Sequence, residues 1–229
     1  MRNPYSLSMV QATSNEPEVI KLTNIPPYDI QDWNLADQKD FKKFLAELEK
    51  SVRGSFEYQQ YIQYLRNAFN MNSCAFYRNV TNVPNPKIKI HIHHDPITLY
   101  DICTIIFRKR QTLGEPIDEE SIAKEVMWNH YNVFVGLIPL SETAHELVHA
   151  NYLFIPCTHV FGEYKEFVNM YKQFFTLDQL DLIKDIEDAS ALYTSDRAKH
   201  LFQQRFTYVD DSGAYDFPDK QKIIQMLND

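Results

Sequence analysis

The sequence predicts an α+β fold, predominantly helical. Hydrophobic residues recur at helical spacing through most of the chain, and strict alternation appears in KIKIHIHH (87–94). Glycine numbers only five in 229 residues, too few for a repetitive all-β or collagen-like architecture. With 44% hydrophobic residues the chain can bury a sizeable core, and no internal repeat at solenoid spacing interrupts it.

Residues 1–35, rich in Asn, Pro, Ser and Gln, have no sustained period and read as an extended N-terminal arm, either a loose terminus or a strap for a protein partner. Residues 36–73 read as a helical hairpin. Phe41, Phe44, Leu45 and Leu48 mark its first face, and Phe56, Tyr61, Ile62, Leu65 and Phe69 its second, with Gly54 and Ser55 as the break. Residues 74–158 form the core. CAFYRNV (74–80) is expected as a short strand and KIKIHIHH as a half-buried one, with Lys87, Lys89, His91 and His93 outward. Thr98 and Asp101 then cap a helix that RKR (108–110) closes, and a second helix runs over 118–129. VFVGLIPL (133–140) is expected as strand or extended chain. Ser141 caps a short helix, SETAHELVHAN, for which Asn151 supplies a left-handed end, and YLFIP is expected as a strand. Residues 159–229 read as a C-terminal helical subdomain, with helices over 162–175 and 177–189, then RFTYV and a final short helix.

A net charge of −8 gives no global attraction to phosphate or to an anionic membrane surface. Cys74, Cys103 and Cys157 are odd in number and form no CxxC pair, as expected of free thiols in a reducing compartment. The N-terminus lacks the apolar stretch of a secretory signal, and no window approaches the length of a membrane span. These features predict a cytoplasmic protein without membrane association. Lys87, Lys89, Arg108, Lys109 and Arg110 offer the local basic surface that a phosphate backbone requires; the alternative for the last three is a solvated helix end favoured by the helix dipole.

Five of the eight histidines fall in two compact motifs: His91, His93 and His94 where a strand ends, and His145 and His149 on a helix. Residues four apart share one helical face, with Cβ atoms about 6 Å apart, so two imidazoles there can converge on one divalent metal. A ligand from another element would complete the site. In an HH pair one ring can ligate while its neighbour takes a proton from water. Taken singly, each of these histidines is more often a hydrogen-bonded core residue or part of a solvated strand edge.

The HH pair, followed after an insertion by LIPLSETAHELVH (137–149), resembles the HNH or His-Me finger nucleases. The resemblance covers about a third of the chain. It implies a small ββα-metal finger core and one divalent ion, drawn from Mg, Mn, Ni or Zn, that polarises a scissile phosphodiester. On that resemblance His94 is the general base, His93, His145 and His149 are metal ligands, and Asp95 ligates in place of His93 or orients it. Ser141 and Ala144 stand where some members carry zinc-binding cysteines, so no second zinc is expected. Gly136 stands where the base-orienting asparagine would be, which leaves Asn129, His130 or Asn132 for that task. The expected partner is nucleic acid, DNA rather than RNA. HHDPITLYDI (93–102) together with HELVH (145–149) also resembles proteins of large tailed phages, which places the chain in the host cytoplasm.

Two other readings stay open. One is a finger that has lost its activity and serves as a structural or interaction protein. The other is an HExxH zinc metallohydrolase with Glu146 as general base, although that motif is only five residues long and gives the HH pair no role.

Overall fold

The computed structural model describes residues 34–193 apart from 36, 78 and 85. Among the described residues, seven α-helices and a two-stranded antiparallel sheet make up the fold, in agreement with the α+β expectation. The expected arm, RFTYV and the final short helix lie outside the described residues, apart from 34 and 35 at the arm's end.

The hairpin consists of α1 (Gln38–Gly54) and α2 (Phe56–Ala68). The Asp37 carboxylate accepts the amides of Lys39 and Asp40 at the start of α1. Ser55 both ends α1 and caps α2, its hydroxyl accepting the Tyr58 amide at 3.2 Å. Phe44, Leu45, Leu48 and Val52 form the buried stripe of α1.

Strand β1 (Ile90–His94) pairs antiparallel with β2 (Leu137–Ser141), with His94 opposite Leu137 and Ile90 opposite Ser141. Between the strands come α3 (Leu99–Leu113) and α4 (Glu119–Tyr131), the helical insertion expected from the sequence. The Asp101 amide donates to Thr98 Oγ1 at 3.1 Å, and the Thr98 hydroxyl returns a bond to the Asp101 carboxylate at 2.6 Å. Gly114 ends α3 at φ 68°, a left-handed conformation that glycine adopts without strain. Helix α5 (Glu142–His149) leaves β2 directly, capped by Ser141. At its far end the Tyr152 amide reaches the Leu147 carbonyl and the Asn151 amide the Val148 carbonyl, with Asn151 at φ 58° as expected. The chain continues through α6 (Tyr164–Tyr171), a 3-10 turn at Lys172–Phe174 and α7 (Leu177–Tyr193).

Two expected strands are not formed. CAFYRNV folds back on itself through the Cys74 amide on the Val80 carbonyl and the Val80 amide on that of Tyr77, leaving only an isolated bridge between Ser73 and Thr81. YLFIP follows the left-handed turn of α5 outside any strand, its Leu153 amide spent on the Leu147 carbonyl. In both segments most of the apolar residues are buried, Ala75, Phe76, Leu153 and Ile155 among them. Apolar content signalled burial correctly, but a strand needs successive backbone pairs along one edge, and CAFYRNV meets β2 through the single bond from the Ala75 amide to the Pro139 carbonyl.

Helices α1, α3 and α4 pack against one another. An ionic network holds α3, α4 and α6 together. Glu125 accepts from Arg110 at 2.8 Å and from the Tyr171 hydroxyl at 2.9 Å, and it lies 3.3 Å from Lys109. Glu125 and Arg110 are both buried. Removing one member of such a pair leaves the other charged and desolvated. Glu125→Ala is therefore expected to lower the unfolding free energy by about 3–5 kcal/mol in urea titrations.

Candidate metal centre

Alternation along β1 decides where each histidine points. Ile90, Ile92 and His94 face the core, while His91 and His93 face α5. Helix α5 turns His145 and His149 to the same place, because residues four apart share a face. One nitrogen from each of His93, His145 and His149 lies within 4.8 Å of the others. His145 and His149 Nε2 are 3.1 Å apart. Two nitrogens on a tetrahedral zinc at its usual bond length stand roughly 3.3 Å apart. The His93 ring is nearly perpendicular to those of His145 and His149, at 79° and 85°, so the three lone pairs approach from different directions. The donor set thus fits one divalent transition metal.

Electrostatics keep two of these donors, His93 and His145, in the ligating form. Burial, followed by the neighbouring His145 and His149, pushes His93 down to about 4. Burial, then His149 and His91, holds His145 below the ordinary histidine value. Neutral imidazole is the form that binds metal.

His91 completes a four-imidazole patch without joining the ligands. Its ring stacks on that of His145 at 4.9 Å and 15°. Imidazole lone pairs lie in the ring plane, so two parallel rings do not aim at one ion.

His94, expected as general base, faces away from this group. It is 3% exposed, stacks against Tyr58, and its Nε2 lies 2.9 Å from His130 Nε2. His130 Nδ1 donates to the Val126 carbonyl at 2.8 Å, so its Nε2 accepts and His94 Nε2 donates. Burial holds His94 well below its ordinary value and His130 at about 4. His130, one of the residues expected to orient His94, does contact it. Asn132 does not: its side chain donates to the Trp128 carbonyl of its own helix. Asn129 bonds instead to the Tyr171 hydroxyl and the Glu125 carbonyl.

Asp95 is not among the convergent donors. Burial pushes its carboxyl up to about 7, and its Oδ2 is buried without a hydrogen-bond partner. Its backbone carbonyl explains Gly136: a Cβ there would meet the Asp95 oxygen at 1.9 Å, where the chain leaving β1 lies against the chain entering β2. Glu146 is exposed and lies outside the cluster.

The expected basic surface is largely absorbed by internal pairing. Arg110 serves Glu125 and the Pro116 carbonyl, Lys109 serves Glu115 and Glu125, and Arg108 donates to Gln179. Lys89 pairs with Glu142 at 2.9 Å across the exposed junction of β1 and α5, and Lys87 precedes β1 on the surface.

Sequence reading missed Arg53 at the end of α1, whose charge helps depress His93, His94, His130 and His145. It placed His91 outward beside His93 but gave it no part in the site.

Residues 8–212 match the bacteriophage G278-like virion protein family. The chain belongs to this family. A phage origin is thereby established, as the HHDPITLYDI and HELVH pairing suggested. No curated protein and no solved structure matches the chain. Among the described residues no helix of this virion family member is long and apolar enough to cross a membrane.

Depressed histidines make stability depend on pH. His93 and His130 titrate near 4 when folded and near 6.5 when unfolded, and His94 and His145 are displaced in the same direction. Below about pH 6.5 the unfolded chain therefore binds protons that the folded chain does not, at about 1.4 kcal/mol per unit of displacement. Asp95 acts oppositely, since its folded value near 7 lies above its unfolded 3.8, and Glu119 is raised in the same sense. Four histidines outweigh two acids. The melting temperature followed by circular dichroism is expected to be flat above pH 7 and to fall from about pH 6.5 toward 4; a rise over that interval would refute the assignment.

Proposed function

We propose that this virion protein binds one divalent transition metal through His93, His145 and His149, and that the ion fastens β1 to α5 and leaves a coordination position open toward solvent for a partner protein of the particle. The observation that carries the reading is the convergence of three imidazoles, from a strand and a helix, on one point at the protein surface. His149 is exposed, so that point is accessible. An all-nitrogen set favours Zn or Ni over Mg or Mn, which prefer oxygen. Membership of a virion family favours protein partners.

Hydrolysis of nucleic acid by an HNH-like mechanism is the second reading. The order β1, β2, α5 and the three ligands support it, and so does the tautomer chain, which leaves His94 Nδ1 as a lone pair. Against it, His94 Nδ1 is sealed from solvent, and Lys89, Arg108, Lys109 and Arg110, four of the five basic residues expected to grip a phosphate backbone, are occupied with acids and carbonyls. The first reading therefore accounts for more of the geometry.

Calorimetric titration of the full chain is expected to show one site for Zn or Ni and none for Mg. A hundredfold excess over Kd should raise the unfolding free energy by about 2.7 kcal/mol. His149→Ala should abolish both effects, and plasmid DNA should remain uncut. Absence of Zn and Ni binding would refute the metal site. Plasmid nicking that is lost in His94→Ala would transfer the conclusion to the nuclease reading.

A further inference from the structure

We infer that His130, on α4, is a positioning residue for the metal centre, acting through His94 to set the presentation of His93. The inference rests on the metal-binding reading above.

The sheet has only two strands, and β1 is five residues long. So short a strand cannot hold a side-chain direction by backbone pairing alone; the side chains on its inner face must anchor it. Ile90 and Ile92 contribute apolar packing, which has no directional preference. His94 contributes the directional contact, the 2.9 Å bond to His130 Nε2. That bond is itself oriented, because His130 Nδ1 is held by the Val126 carbonyl one turn back on α4. Tyr58 and Tyr61 of α2 set their rings against His130 edge to face, at 5.6 and 5.5 Å, which restricts its rotation.

His93 is covalently next to the anchored residue and on the opposite face of the strand. A change in the twist of β1 at His94 therefore moves the His93 nitrogen relative to those of α5. The helix half of the site has separate supports, the Ser141 cap and the Lys89–Glu142 pair. Metal affinity thus depends on a core bond that touches neither the ion nor any of its ligands. A buried imidazole pair with this connection explains why a polar contact is kept where apolar packing would serve stability equally well.

The test uses the full chain and Zn or Ni alone as probe. His130→Leu preserves helix and apolar bulk but leaves His94 Nε2 without an acceptor; its affinity is expected to fall about tenfold, within the range for outer partners of metal ligands. His130→Gln, whose carbonyl can accept from His94, should recover most of the loss. Met127→Ala, a buried truncation on the same helix, should lower the melting temperature while leaving affinity within about twofold. The visible spectrum of the cobalt form should change in His130→Leu and not in Met127→Ala. Should the leucine variant fail to fold, His130→Asn, too short to meet the same N–H, carries the same expectation. Wild-type affinity in His130→Leu or His130→Asn, or equal losses in Met127→Ala, would overturn the positioning role while leaving the metal site standing. Failure of the wild-type chain to bind either metal would instead refute the reading on which it rests.

Discussion

The pairing of β1 with β2 is the constraint on which the arrangement of the centre depends. Side chains alternate across a strand, so the register that places His93 opposite Ile138 also determines which imidazoles meet α5 and which enter the core. A slip of one residue would exchange His93 for His94 and bury the wrong ring. The register is held from several sides. Gly136 lets the β1 carbonyl at Asp95 come close, and the Asp95 amide donates to the Gly136 carbonyl at 3.1 Å. Pro139 turns its polar groups away from β1, where its carbonyl accepts the Ala75 amide at 2.8 Å and its missing N–H costs nothing. Leu137 exchanges two hydrogen bonds with Phe161 on the same outer side.

Around this small sheet the helices act as a frame. Residues 95–136 loop out between the strands and return as α3 and α4, which α1 clamps and the buried Glu125 network locks. The frame reaches the sheet through His94, which ties the strand to α4 by an oriented polar bond. The same burial that makes this bond rigid keeps both of its imidazoles neutral, and partial burial does the same for His93 and His145. Rigidity and ligand readiness thus share one physical source, the loss of water around the rings.

Much of the fold was legible because its signals are local. The caps at Thr98 and Ser141, the left-handed Asn151, the break at Ser55 and the amphipathic stripe of α1 each depend on a few neighbouring residues. The convergence of His145 and His149 followed from helical spacing alone. Less legible were CAFYRNV and YLFIP, since strand formation depends on a run of pairings with a distant segment that local sequence does not reveal. The charges of RKR were visible, but not the groups that engage them, because the Glu125 carboxylate and the Gln179 amide oxygen arrive from other helices.

By itself the sequence determined the helical frame, the strand carrying the histidines and the pairing of two imidazoles on α5, all consequences of periodicity within a few residues. Tertiary structure decided which member of the HH pair faces the cluster, that His94 meets His130 in the core, and that the arginines turn inward. Those outcomes depend on water exclusion and on contacts between residues far apart in the chain, and no local pattern encodes them.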